Sequence, residues 1–354
     1  MRLLGGKRSP IGIDIGSRTI KAAQLMAGRD SLHIVALLQL LRIKPGEAID
    51  SEEVSNLKGV LRRQGVHGRE VVLALPEKQL LRGIFEMPPS VSGAPVAQIA
   101  RMELSRIHHV EPDSFEMVHW GLPSQGQSRA NTQTVAVACP HTAANALLDT
   151  FEGCGLTVEA LDVRTAAAAR ACQRLTAPPP AITAILDLGW GSAKLLLICG
   201  NTVIYERVLQ TELSRLTALL GEEFHIEVPV ACQIIDTIGL EGGRCEGDLD
   251  EVSLKAIRGF IRNHFRSVIE ELKVPLAYAT RQYPTEGLNR LLLVGGGAKL
   301  EGLVHYFQST LGLDTVCVTP GALAKGSADV LTKADHPAMT VAMGLALFCE
   351  GASR

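Results

Sequence analysis

The sequence lacks the features that mark a membrane-spanning, exported or metal-binding protein. Its residues include no apolar run of about 18, the length that a transmembrane helix needs. The first ten residues are polar and glycine-rich, without the apolar segment of a signal peptide. Eight cysteines occur with no Cys-x-x-Cys pair, and those in apolar runs (Cys139, Cys172, Cys199 and Cys349) are predicted to be buried, reduced thiols. These absences predict a cytoplasmic protein.

The sequence also has little net charge. The formal charge is -2 over 354 residues, and no basic block stands out. A near-neutral chain of this kind has neither the electrostatic footprint of a nucleic-acid-binding protein nor that of a membrane-surface protein. With 46% hydrophobic and 20% charged residues, the composition is that of a globular protein long enough for two domains with cores of their own.

Residues 11–25 predict a β-hairpin that binds phosphate at its turn. An apolar run leads into the turn, and a second alternating run leaves it. The turn region carries Asp14, Gly16, Ser17, Thr19 and Lys21. Gly16 lets the backbone approach an anion closely, the two hydroxyls add hydrogen-bond donors, and Lys21 adds a positive charge. Asp14 would hold a hydrated Mg²⁺ and not touch phosphate, because two anions repel each other.

The same pattern returns about half a chain later, after the apolar residues 184–186. The second copy contains Asp187, Gly189, Gly191, Ser192 and Lys194. Asp187, Gly189 and Lys194 match Asp14, Gly16 and Lys21 in register. A duplicated hairpin predicts two similar domains that face each other across a cleft.

A third segment predicts a strand, a glycine turn and a helix. Three glycines, Gly295, Gly296 and Gly297, follow an apolar run that begins at residue 291. Because glycine has no side chain, a flat base could lie directly on this backbone.

Together these segments resemble the actin/Hsp70/sugar-kinase superfamily and, within it, the type IV pilus assembly protein PilM family, which is related to the division protein FtsA. Residues 11–21 are similar to that family's opening hairpin, and residues 295–302 to its glycine turn. Residues 82–88, 153–169 and 341–347 resemble its central strand, its crossing segment and its terminal helix. The order and spacing of the segments make the resemblance specific over nearly the whole chain.

The resemblance implies an α/β fold of duplicated actin-like (ribonuclease H-like) domains that flank a nucleotide cleft. Domain I is expected at residues 1–177, with an inserted βαββα subdomain at about 82–156. Domain II is expected at 181–335, with a helical subdomain at about 212–285, and a C-terminal helix at 336–354 is expected to return to domain I. Within domain I, Ser51 is predicted to cap a helix whose positive end is favoured by the acidic Glu52 and Glu53.

The family's cofactor is ATP with Mg²⁺, so both are expected in the cleft. The resemblance implies phosphate contacts from the residues of both hairpins named above, adenine contacts from the three glycines, and a water-bound Mg²⁺ on Asp14.

Several positions depart from the family. Arg164 stands where a Glu positions the attacking water, and a cation cannot act as that base. Cys232 and Ile235 replace the Glu and Lys that grip the nucleoside, Trp190 replaces a small residue, and Ala193 replaces a hydroxyl. Hydrolysis is therefore expected to be slow or absent and nucleotide binding weak or lost, and no catalytic residue is assigned.

The resemblance also implies a partner. The chain is expected to be a scaffold at the inner face of the inner membrane, in a type IV pilus or a related type II secretion machine. It would bind the N-terminal cytoplasmic tail of PilN, a single-span membrane protein, in a groove between the inserted subdomain and the core of domain I. Arg82, Phe85 and Met87 are the candidate groove residues, and self-association is a further expected contact.

Two alternatives remain open at this point. A small-molecule kinase of the same superfamily needs a catalytic carboxylate by the cleft, and Asp162 is the only one nearby in the sequence. An FtsA-like filament former would carry an amphipathic membrane helix after a linker, whereas this sequence stops at Ser353 and Arg354. That ending favours the scaffold.

Overall fold

The computed structural model describes residues 6–28, 31–88, 93–123, 132–178, 181–200, 202–241, 251–283 and 287–348. Cys349 and residues 350–354, on which the contrast with FtsA depends, lie outside the described residues. The strands are β1 (Ile11–Ile15), β2 (Thr19–Ala27), β3 (Leu32–Leu41), β4 (Glu70–Ala74), β5 (Leu81–Met87), β6 (Phe115–Gly121), β7 (Thr132–Pro140), β8 (Thr157–Asp162), β9 (Ile182–Leu188), β10 (Ala193–Cys199), β11 (Thr202–Leu209), β12 (Leu288–Val294) and β13 (Asp314–Cys317). The helices are α1 (Ser51–Arg63), α2 (Val96–His108), α3 (His141–Gly153), α4 (Arg164–Cys172), α5 (Leu213–Phe224), α6 (Val228–Ile238), α7 (Glu251–Gln282), α8 (Leu303–Leu311), α9 (Pro320–Leu323), α10 (Ala328–Ala334) and α11 (Thr340–Ala346).

Two five-stranded sheets repeat one topology. The first sheet has the order β3-β2-β1-β4-β8, and the second has the order β11-β10-β9-β12-β13. Each begins with an antiparallel meander of three strands and continues with two parallel strands beside the first of them. The central strands are buried on both faces, which explains their continuous apolar runs. The duplicated α/β architecture predicted from the two hairpins is confirmed.

Helices cover both faces of these sheets. On the outer sides, α1 and α3 pack on the first sheet, while α5, α6, α7 and α8 cover the second. On the inner sides, α4 and α11 share one apolar cluster with residues of both sheets. The close approach of α11 needs small residues, since a Cβ on Gly12 of β1 would lie 2.1 Å from the carbonyl oxygen of Ala342. The inner faces of the two sheets therefore pack around the same pair of helices.

A βαββα unit interrupts the first sheet between β4 and β8. Strands β5, β7 and β6 form a third, antiparallel sheet in that order, and α2 packs on it around Met87, Leu104 and Phe115. The last helix of the unit, α3, instead places Leu147 and Phe151 in the apolar cluster of the first sheet. The unit is thus anchored to the first sheet by α3 while its sheet projects beside the second.

One local prediction about α1 is wrong. Asp50, and not Ser51, caps this helix, with its side chain accepting a hydrogen bond from the Glu53 amide. Glu53 is buried against Arg42 and does not face solvent at the helix start.

Two further observations concern the helices and the cysteines. None of the helices within the described residues is long and apolar enough to cross a membrane. Cys139 and Cys172 are buried and Cys199 is half-buried, and none of the three forms a disulfide.

Candidate functional site

The turns of the two hairpins meet at one cleft between the first and second sheets. The guanidinium carbon of Arg18, in the first turn, lies 4.5 Å from the ring centroid of Trp190 in the second, within the range of a cation–π contact. A Cβ on Gly191 would lie 2.7 Å from Ser17 Oγ, so the glycine leaves room for the Ser17 side chain of the first turn. The two turns are therefore in direct contact.

Arg164 joins the two hairpin carboxylates. One of its guanidinium nitrogens pairs with Asp14 Oδ1, and the other lies 3.5 Å from Asp187 Oδ2. The second oxygen of Asp14 accepts a hydrogen bond from Lys21 Nζ at 3.0 Å. The side chain of Asp14 is only 1% exposed, so its charge is balanced by these two cations and not by water. Because Arg164 begins α4, directly after β8, the fold itself carries the cation into the cleft.

The third predicted segment also reaches this cleft. Gly295 has a φ of 82°, and a Cβ there would lie 2.3 Å from Asp187 Oδ1. The position therefore needs glycine for both its backbone conformation and its space. Gly296 faces open space, whereas Gly297 packs between Leu188 and Leu213.

A cavity of about 850 Å³ contains most of the predicted site residues. Its lining includes Asp14, Gly16, Ser17, Thr19, Lys21, Arg164, Asp187, Gly189, Gly191, Ser192, Gly295 and Gly296. Of the predicted contacts, Gly297 alone is not on this lining, because it is buried behind the turn. Segments more than 250 residues apart in the chain thus form one continuous surface.

Two residues of the cavity lining, Asp236 and His336, were missed at the sequence level. They line the cavity together with Cys232 and Ile235 of α6, which the sequence analysis names. Burial and the positive charge of Lys299 lower the pKa of His336, while Asp236 opposes the shift. Asp236 follows Cys232 by four residues, which places both on one face of the helix, and this spacing could have identified it. His336 offers no comparable signal.

Lys194, the counterpart of Lys21, has different partners. Its Nζ lies 2.8 Å from Glu77 Oε2 and 3.0 Å from Glu206 Oε1. Arg82 pairs with the same two carboxylates, at 2.7 Å and 2.6 Å. Glu77 precedes β5 and Arg82 lies on it, while Lys194 and Glu206 belong to the second sheet. This four-residue ion network therefore links the inserted unit to the second sheet.

Asp162, the carboxylate considered for a kinase, has a structural role. Its Oδ2 accepts a hydrogen bond from Arg170 at 2.9 Å, and its Oδ1 accepts one from the Val163 amide at 2.7 Å. Arg170 also donates to the carbonyl oxygen of Gly344 at 2.7 Å. Asp162 thus holds α4 and α11 in place.

The residues at the cleft do not fit a divalent cation. Both carboxylate oxygens of Asp14 already face cationic side chains, and Arg164 spans the gap to Asp187. Across the part of the chain that the structure describes, no group of three or more His, Cys, Asp or Glu side chains could hold a metal ion. Mg²⁺ prefers several oxygen ligands in octahedral geometry, and the guanidinium stands in its way.

The cavity extends from the cleft into a groove beside the inserted unit. Its walls are Gln39 and Leu41 at the end of β3, Ile49 before α1, and Ala143, Ala146, Leu147 and Thr150 of α3. Arg82 reaches this cavity, but Met87 is 1% exposed in the core of the inserted unit and Phe85 packs beside it. The candidate groove residues Phe85 and Met87 therefore do not line this cavity, because they point to the helix-covered face of the third sheet.

The pH dependence of stability tests whether the Lys21 side chain is buried in the cleft. Burial lowers the pKa of Lys21 from 10.5 to about 8, and the charge of Asp187 opposes the shift. Between these pH values the unfolded chain binds more protons than the folded one, so stability rises with pH. We expect the free energy of unfolding of the wild type, relative to Lys21→Met, to increase by up to about 3 kcal/mol over this range. Urea unfolding of both proteins measures it, and a difference that stays constant with pH would contradict the burial of a charged Lys21.

Comparison with solved structures identifies the fold. The chain is similar to the structure described as the PilM-PilN type IV pilus biogenesis complex, with a TM-score of 0.76 and 22% identity over 96% of this chain and 98% of that chain. It is also similar to the ethanolamine utilization protein EutJ from Carboxydothermus hydrogenoformans, with a TM-score of 0.56 and 17% identity over 98% and 92% of the two chains. MreB5 of Spiroplasma citri bound to AMPPNP gives a TM-score of 0.52 and 15% identity over 94% and 93%. These likenesses confirm the actin-like fold.

Comparison at the level of sequence gives the family. None of the curated proteins searched matches the chain. The family described as type IV pilus assembly protein PilM matches it over residues 12–349. The matched residues thus run from β1, before the first hairpin turn, past the end of α11. With both hairpins, the glycine turn and the inserted unit inside that match, the chain belongs to the PilM family of type IV pilus assembly proteins and has the actin-like fold.

Proposed function

We propose that the chain is a cytoplasmic scaffold that binds the N-terminal tail of a PilN-like inner-membrane protein in the groove beside α3. The observation that carries this proposal is the groove itself, which continues from the cleft between the first sheet and the inserted unit. The most similar of the structures described above is of a PilM-PilN complex. Through its partner, the scaffold would act at the inner face of the inner membrane.

The groove's chemistry suits an extended peptide with apolar anchors. Leu41, Ile49 and Leu147 supply apolar surface, and Leu41 is 65% exposed although it is a large hydrophobic residue. Ala143 and Ala146 keep the α3 side of the groove shallow, and Gln39 and Thr150 add polar groups for a peptide backbone. An extended segment can place alternate side chains on such a surface.

We propose phosphate and adenine contacts in the cleft as a separate property. The hairpin residues Gly16, Ser17, Thr19 and Lys21 and their counterparts Gly189, Gly191 and Ser192 would face phosphate, and the glycine turn would face a base. Hydrolysis is excluded from the proposal, since Arg164 cannot activate water as a Glu would. The nucleotide would lie between the expected domains, 1–177 and 181–335, and would not be needed to bring them together.

The kinase alternative loses its candidate base. Asp162 is engaged by Arg170 and by the Val163 amide, and it does not line the cavity where a substrate hydroxyl would lie. The scaffold is therefore the proposal that the geometry supports best.

Binding of the partner's tail tests the proposed groove. The probe is the fluorescently labelled N-terminal cytoplasmic peptide of the PilN protein from the same organism, and the readout is fluorescence anisotropy. Ala146→Arg places a long charged side chain in the groove from an exposed helical position. We expect this variant to weaken binding by about tenfold or more, because losing about 1.4 kcal/mol of contact corresponds to a factor of ten.

Asn145→Arg is the matched control. Asn145 precedes Ala146 on α3 and is exposed, but it is not part of the cavity wall. The same side chain at this position should leave the affinity within about twofold of wild type, since surface substitutions rarely matter at a distance. Equal affinities of the two variants would contradict binding in this groove.

A further inference from the structure

We propose that Arg164 takes the place of a divalent cation in the cleft and holds the two sheets' hairpins together without metal or nucleotide. The proposal concerns the cleft alone and does not depend on tail binding. It starts from the position of the guanidinium, which contacts a carboxylate of each hairpin. A bridging Mg²⁺ would need those same two carboxylates.

The charges at this point balance without any ligand. Asp14 and Asp187 are 1% and 14% exposed, and Lys21 and Arg164 are 10% and 19% exposed. Two buried or nearly buried anions side by side repel each other unless cations compensate them. Here two side chains provide the two positive charges, and the planar guanidinium reaches both carboxylates because its nitrogens point in different directions.

Independent contacts close the cleft at other points. Arg18 stacks on Trp190 between the two turns. Farther along, Lys194 pairs with Glu77 and Arg82 pairs with Glu206, each across the boundary between the inserted unit and the second sheet. The second sheet is therefore held to the first hairpin turn and to the inserted unit by side chains of this protein at separate points.

Trp190 offers a spectroscopic probe of this arrangement. The sequence has two tryptophans, so Trp120→Phe leaves Trp190, at the contact of the turns, as the single tryptophan. In that background, acrylamide quenching of Trp190 is compared in EDTA, in millimolar Mg²⁺, and in Mg²⁺ with ATP. We expect equally low quenching in all three conditions when Arg164 is present. Quenching that falls only after Mg²⁺ and ATP are added would overturn the proposal.

Arg164→Gln removes the guanidinium and leaves the carboxylates facing each other. In EDTA this variant should show about twofold stronger quenching of Trp190 through local opening and a Tm lower by about 4 °C, since removing one partner strands a buried charge. Millimolar Mg²⁺ should reverse the added quenching in the variant, because Asp14 Oδ1 and Asp187 Oδ2 then lack the guanidinium and can bind the ion, while Lys21 keeps the other oxygen of Asp14. If the variant's quenching in EDTA equals that of the protein with Arg164, or if Mg²⁺ does not change the variant's quenching, the guanidinium does not stand in for a metal ion.

Arg170→Gln is the matched control on the same helix. Arg170 pairs with Asp162 and with the Gly344 carbonyl, away from the hairpin turns. This variant should have a lower Tm. The quenching of Trp190 and its response to Mg²⁺ should be the same as in the Trp120→Phe protein that retains Arg164. Equal quenching in the two variants would mean that general destabilisation, and not loss of the bridge, opens the cleft.

Discussion

Glu53→Ala is expected to destabilise the protein by about 3–5 kcal/mol, because it leaves a buried guanidinium without its partner. The side chains of Arg42 and Glu53 are 2% and 1% exposed, and their closest atoms are 2.6 Å apart. Glu53 also accepts a hydrogen bond from the Ile43 amide at 2.8 Å. Arg42 in turn donates to the carbonyl oxygen of Gly16 at 3.2 Å. Removal of the Glu53 carboxylate should therefore loosen the first hairpin turn. The variant should also unfold at a lower urea concentration than the wild type.

Glu52→Ala separates this effect from a loss of charge at the helix start. Glu52 adjoins Glu53 in the first turn of α1, but its side chain is 68% exposed and its nearest cation, on Lys44, is 3.9 Å away. A surface pair of this kind contributes roughly 0–1 kcal/mol. Urea unfolding of both variants should show a large loss for Glu53→Ala alone. Similar losses for the two would mean that helix electrostatics, and not the buried pair, accounts for the role of Glu53.

Gly344→Ala is expected to cost about 3 kcal/mol or more, at the upper end of overpacking effects. A Cβ at this position would lie 1.8 Å from the carbonyl oxygen of Ala167. The clash is with the backbone of α4, which cannot rotate away as a flexible side chain could. The two helices would have to separate, and the hydrogen bond from Arg170 to the Gly344 carbonyl would be strained. Thermal unfolding should report a lowered Tm.

Gly259→Ala provides the control for a glycine-to-alanine change within a helix. Gly259 is exposed on α7, and a Cβ there would contact nothing within 4 Å. Alanine favours a helix over glycine by about 1 kcal/mol, so this variant should be slightly more stable than wild type. A Gly344→Ala protein that unfolds at the wild-type temperature would contradict the close contact between α4 and α11.

The sequence was sufficient for the repeated architecture because the signals are local. Each hairpin places an Asp and a Lys in cross-strand register, Asp14 with Lys21 and Asp187 with Lys194. Alternation and glycine turns in a short window determine that register. The pattern does not determine which anion each lysine selects. Lys21 pairs within its hairpin, whereas Lys194 pairs with Glu77, more than 100 residues away.

The same limit applies to the residues that complete the cleft. The sequence shows that Arg164 replaces a Glu, but its contact with Asp14 spans 150 residues and depends on the packing of β8 beside β4. The buried partner of Glu53 was equally hidden, since an acid in a first helical turn usually serves the helix dipole. Long-range ion pairs of this kind require the assembled fold to be seen.

The close packing of α11 has a consequence for the order in which the protein can form. Residues 340–346 fill the space between β1 and α4, so β1 and β2 lack their inner cover until α11, more than 300 residues later in the sequence, has been synthesised. Contacts between residues so distant in sequence form late and slowly. During synthesis, the apolar inner face of β1 and β2 is therefore exposed to solvent and to chaperones for longer than any other part of the first sheet.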